Sequence, residues 1–120
     1  GIGAGSFTDI FFLNTGFWKG HSHNLLFELS LSYGIPASFI FFITTTNILY
    51  LSGRIIFASD LIINISYIDR AFWSALFYFL ISQIADIQYF DGKISLITWI
   101  LIAGLKNIIL EKKSKTLINQ

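Results

Sequence analysis

The residues best suited to chemistry in this chain are His21, Ser22, His23 and Asn24, a polar string at the mouth of an apolar helix. An imidazole exchanges its proton near neutrality, so it can take a proton from an attacking hydroxyl or hold that hydroxyl by a hydrogen bond. Lys19 lies just upstream and adds a cation to the same neighbourhood. Ionisable groups placed beside a membrane-compatible segment are candidates for a site, because lipid offers them no stabilisation. His21 and His23 alternate with Ser22, and an extended backbone points both rings to one side, as two ligands of one metal require. No third ligand accompanies them in the sequence, since Glu28 is set apart on the following helix, so no metal is expected. The plainer alternative is that Asn24, a preferred cap residue, starts the next helix and the histidines are interfacial polar groups.

Other polar features carry less. Asp86, near the end of an apolar run, reads either as an interfacial anchor or as a site carboxylate facing a cavity. Asp91 belongs to a turn, Asp69 and Arg70 read as surface anchors, and Glu28 as an interface residue. The opening Gly1-Ile2-Gly3-Ala4-Gly5 lacks the full spacing of a phosphate-cradling loop, and Ser6-Phe7 opens no obvious helix, so a flexible loop is expected. Asn64-Ile65-Ser66 matches a glycosylation acceptor but falls on the side expected to be cytoplasmic. Without cysteine there is no disulfide framework, thiolate nucleophile or cysteine metal site.

The elements that must position these residues are lipid-like. Of 120 residues, 54% are hydrophobic and only 12% charged, about half the charge of an average soluble domain. The charges lie in short stretches between long apolar runs, which is the pattern of an integral membrane protein. No basic stripe interleaved with exposed aromatics is present, and nucleic acid is not an expected partner. A chain that opens on Gly1 and contains no methionine reads as a fragment or trimmed domain.

Glycines punctuate residues 1–24, which read as an extramembrane loop. Residues 25–33 read as a short interfacial helix, interrupted by Gly34 and Pro36. A first transmembrane helix is expected over residues 35–51, about 25 Å long. Residues 52–70 are too interrupted for a span and too apolar for a solvated linker, so they are expected to lie along the membrane. Residues 71–87 (AFWSALFYFLISQIADI) have the length of a second span. After the Asp91-Gly92 turn, residues 94–105 begin a third, which must continue through Lys106 and Asn107 toward Leu110, with Lys106 snorkelling.

Lys106, Lys112, Lys113 and Lys115 crowd the C-terminal end and bias it toward the cytoplasm. Three spans then leave the histidine segment and Asp86 outside and residues 52–70 inside, where Arg54 and Arg70 fit the positive-inside rule. Trp73 and Tyr50 fall at the inner interface and Tyr89 at the outer one, while Trp99 fits the aromatic belts less well. The expected fold is therefore all-α: a polytopic membrane helical bundle with about three transmembrane helices. Residues 1–24 form an outer loop with the histidine motif, and residues 25–120 are the C-terminal transmembrane part of a larger domain.

The order of these features resembles the C-terminal part of the O-antigen ligase and polymerase superfamily. The matching features are the opening Gly1-Ile2-Gly3-Ala4-Gly5-Ser6-Phe7, the pair His23-Asn24, and the helix from Leu26-Phe27-Glu28-Leu29 to the break at Tyr33-Gly34-Ile35. Two C-terminal spans joined by a short outer turn also look like this family. The resemblance implies a bundle like those of C-type glycosyltransferases in the bacterial inner (plasma) membrane. It implies glycan transfer from an undecaprenyl-diphosphate-linked donor to a sugar hydroxyl of lipid A core or a growing O-antigen, with no cofactor, nucleotide sugar or metal. His23 matches the family's periplasmic catalytic histidine, while His21, Asn24, Lys19 and Asp86 are candidate substrate-binding residues. Implied partners are the lipid-linked oligosaccharide, a glycan or glycolipid acceptor and membrane lipids. Ligases, polymerases and protein O-oligosaccharyltransferases all fit. Family members hold the leaving diphosphate with arginines of a large outer loop, whereas the first arginine here is Arg54, so this piece is not expected to be a complete enzyme. The reading from a different class is a non-catalytic membrane subunit or a piece of a transporter.

Overall fold

Gly34 and Pro36 divide an otherwise continuous apolar stretch, and in the computed structural model they separate two helices of very different length. The structure describes residues 1–58 and 66–118. Among the described residues there are five helices: α1 (Ser6–Thr15), α2 (Leu25–Tyr33), α3 (Ile35–Ile56), α4 (Tyr67–Ser82) and α5 (Gly92–Ile118). Among the described residues there is no strand. Gly34 takes φ 97°, a conformation disfavoured for side-chain-bearing residues, and redirects the chain between α2 and α3. Pro36 sits in the first turn of α3, where its missing N–H costs no helical hydrogen bond.

Among the described residues two helices, α3 with 22 residues and α5 with 27, are long and apolar enough to cross a membrane. They run parallel. Phe41 meets Trp99 near one end, ring centroids 6.3 Å apart, and Arg54 and Lys112 line a common cavity toward the other. α4 returns antiparallel to them and packs against both, with Trp73 against Gly53, Phe72 against Gly104 and Leu80 beside Phe42. The core joins Leu49 and Ile56 of α3, Leu76 of α4, and Ile102, Leu105 and Ile108 of α5. Small residues permit this approach: a Cβ added at Gly53 would lie 2.8 Å from Trp73 Nε1, and one at Gly104 2.8 Å from Phe72 Cδ2. Outward positions remain apolar, including Ile40, Ile43, Tyr78, Ile97 and Ile100, all exposed. The molecule is elongated, 63 × 25 × 20 Å.

Several expectations need correction. Residues 1–24 are not simply loop, because Ser6 does open a helix: its hydroxyl bonds the Ile2 and Gly3 carbonyls, closing the turn that starts α1. The helix expected as the first span runs beyond residue 51 to Ile56, so the beginning of the segment expected along the membrane is helical. The glycosylation tripeptide begins at Asn64, outside the described residues. α4 begins at Tyr67 and not at residue 71, because Ser66 and Asp69 form a capping box. Asp69 is thus a cap residue as well as a surface one. α4 also stops at Ser82, short of residue 87, and its 16 residues cover about 24 Å, less than a full hydrocarbon core. Trp73, expected at the inner interface, has a packing role: its Nε1 donates to the Leu49 carbonyl at 2.9 Å and holds α4 to α3. α5 does continue through Lys106 and Asn107 and extends to Ile118.

Candidate functional site

Asn24 organises the histidine segment. Its Oδ1 accepts from the backbone N–H groups of Leu26 at 3.0 Å and Phe27 at 3.3 Å, satisfying two donors that a helix start leaves without carbonyl partners. Its Nδ2 donates to the Ile84 carbonyl at 3.2 Å, and the Leu25 N–H donates to the Gln83 carbonyl at 3.0 Å. The start of α2 is therefore fastened to the chain that leaves α4. That chain is itself held by Gln83, almost fully buried, whose Oε1 accepts from the Gln88 and Tyr89 N–H groups at 2.9 and 3.1 Å.

This fastening brings Asp86 to His23. His23 Nδ1 lies 3.1 Å from Asp86 Oδ1, across 63 residues of sequence. An ionised carboxylate can only accept, so Nδ1 carries the proton and the Nε2 of the neutral ring keeps its lone pair. The His23 hydrogen bond above all, and then the Ile87 N–H at 2.8 Å, hold the Asp86 carboxyl below its ordinary range. Both side chains are about half exposed, so the pairing orients the ring more than it stabilises the fold. His23 also has φ 55°, the sole positive value at a non-glycine among the described residues. Such a conformation persists only where surrounding bonds impose it, here the Asn24 cap and the Asp86 contact.

His21 and His23 do face each other, with ring centroids 4.3 Å apart in an edge-to-face arrangement. They meet through the left-handed turn at His23 and not through the extended backbone expected from their alternation. His21 lines a cavity of about 320 Å³ with Gly5, Gly20, Glu28, Tyr33 and Phe90. Glu28 is buried within the protein, and its Oε2 accepts the Ser22 N–H at 3.0 Å. Thr8 of α1 donates to the Gly20 carbonyl at 2.9 Å, so α1 closes the side of the loop. Lys19 is placed differently from the other candidates: its Nζ lies over the Phe11 ring, 5.8 Å from the centroid.

Of the residues named from the sequence, His21, His23, Asn24 and Asp86 come together and Lys19 turns to α1. The fold places Asp86 beside the two imidazoles: potential ligand atoms of His21, His23 and Asp86 all lie within 4.8 Å of one another. Nothing local in the sequence marks Gln83 as the clamp of the loop. The arrangement can accept a proton at His23 Nε2, and the cavity lined by His21 can hold a small polar ligand. No family model matches this chain, and no curated protein or solved structure matches it either.

Proposed function

We propose that this chain is the C-terminal membrane part of an enzyme that transfers a glycan from an undecaprenyl-diphosphate-linked donor to a sugar hydroxyl on lipid A core or a growing O-antigen. The observation that supports it best is the 3.1 Å bond from His23 Nδ1 to Asp86, which leaves Nε2 free to act as a base. In the transfer, the acceptor oxygen bonds to the anomeric carbon and the carbon–oxygen bond to the diphosphate breaks. The hydroxyl proton passes to His23 Nε2, and undecaprenyl diphosphate leaves with the bonding pair. A positioned base contributes about 10²–10⁴ in rate. Asp86 fixes the tautomer, Asn24 fixes the loop, and His21 faces the cavity in which an acceptor sugar is held.

The lipid side of the reading rests on the helices. α3 and α5 are long and apolar enough to span, and a groove of about 450 Å³ between them, lined by Ile40, Phe41, Ile48 and Trp99, has the apolar character of a polyprenyl chain. On this reading the protein is multi-pass in the bacterial inner membrane. The histidine loop is periplasmic and the end carrying Arg54 and Lys112 is cytoplasmic, in keeping with the positive-inside rule. Lys19 rests on Phe11, so the cations that stabilise the leaving diphosphate come from other parts of the enzyme.

In the intact gene, His23→Ala abolishes attachment of long glycan while the protein still inserts and accumulates, and His21→Ala is milder. Glycan ladders scored against protein level in the same membranes give the answer. A normal ladder from His23→Ala refutes the base and favours a non-catalytic membrane subunit or transporter part.

A further inference from the structure

We propose that His21, His23 and Asp86 form a binding site for one divalent transition-metal ion of the Zn²⁺ or Co²⁺ type, which competes with the His23–Asp86 hydrogen bond. Ligand atoms of the three residues lie within 4.8 Å of one another. Bonds of about 2.0–2.2 Å to one ion set neighbouring ligand atoms roughly 3–3.5 Å apart. The 3.1 Å between His23 Nδ1 and Asp86 Oδ1 already matches such an edge, so His21 supplies the remaining adjustment through side-chain rotation.

A second observation points to a ligand at the same place. His21 Nδ1 is buried without a hydrogen-bond partner among the described residues. A native structure seldom leaves a buried polar atom unpaired, and a bound ion is one recognised reason. The remaining groups are prepared for the role. Asp86 Oδ1 is oriented by the Ile87 N–H at 2.8 Å, and His23 is set by the cap at Asn24. Two imidazoles and one carboxylate, two of them exposed, leave further positions for water, as in open zinc sites. This donor set favours zinc-like ions over magnesium or calcium, which prefer all-oxygen shells.

The site has a consequence for the proposed base. A neutral imidazole bonded to metal through Nδ1 carries its proton on Nε2 and cannot accept another. Metal binding itself needs no glycan transfer, but inhibition by the ion rests on that reading.

The test uses the untagged full chain in detergent with Co²⁺ as probe. One equivalent binds and gives visible d–d absorption, and Zn²⁺ displaces it. His21→Ala and Asp86→Asn each weaken Co²⁺ binding at least tenfold. Asp91→Asn, an acid that caps α5 and lies outside the set, leaves binding unchanged with helicity unaltered in all three variants. No Co²⁺ absorption in the parent chain, or equal binding by His21→Ala, overturns the proposal. Because no glycan is present, that result leaves the transfer reading standing, and failure of the His23→Ala ladder test leaves the metal site standing.

Discussion

Replacing Asn24 separates two jobs that one side chain performs, capping α2 and tethering it to the loop beyond α4. In Asn24→Ala both disappear: the Oδ1 acceptor for Leu26 and Phe27, and the Nδ2 donor to Ile84. An N-cap contributes about 1 kcal/mol. A partly exposed neutral hydrogen bond contributes about 1 kcal/mol more. The sum, about 2 kcal/mol, corresponds to roughly a 30-fold rise in local opening. Asn24→Ser keeps a capping oxygen but no amide donor, so it loses only the tether, about 1 kcal/mol or roughly fivefold. The assay is backbone amide hydrogen exchange in detergent micelles, read at Leu26 and Phe27. These amides report the cap directly, and the Leu25 amide, bonded to the Gln83 carbonyl, reports docking of the loop. The expected order of exchange at Leu26 is Ala fastest, then Ser, then the parent chain. Equal exchange in the alanine variant and the parent would refute the role assigned to Asn24, and equal exchange in Ser and Ala would refute the separate tether.

Three further outcomes are expected. Single cysteines at positions 22 and 92 react with an impermeant thiol reagent in intact spheroplasts, whereas those at positions 58 and 114 react only after lysis. Position 58 is preferred to 53 because Gly53 is packed against Trp73, and the reverse labelling pattern rejects the topology. Asp86 has a depressed folded pKa, caused first by His23 and then by the Ile87 N–H, so its contribution is present above the ordinary carboxylate range and is lost as pH falls through the depressed value. The stability difference between the parent and Asp86→Asn, followed by thermal unfolding, therefore shrinks as the pH falls into strong acid; a difference that persists undiminished there contradicts this sign. Chelation of the full-length enzyme leaves glycan transfer intact, because the proposed base works without a metal, and loss of transfer restored by a divalent ion removes His23 from that role.

What was legible in the sequence is what short-range forces decide. Gly34 and Pro36 marked the junction of α2 and α3, Asn24 was readable as a cap, and the apolar run through Lys106 and Asn107 was readable as one helix. Each depends on backbone geometry or side-chain type within a few residues. The capping box of Ser66 and Asp69 and the turn bonds of Ser6 are equally local but are outweighed by the surrounding hydropathy and glycines, so the sequence reads α1 as loop and α4 as starting at residue 71. The site belongs to the other category. Asp86 meets His23 because α4 runs antiparallel to α3, Gln83 clamps the chain that follows, and two bonds fasten that chain to the start of α2. No periodicity or spacing encodes a contact across 63 residues, since it exists only once packing of the helices has fixed where their ends lie.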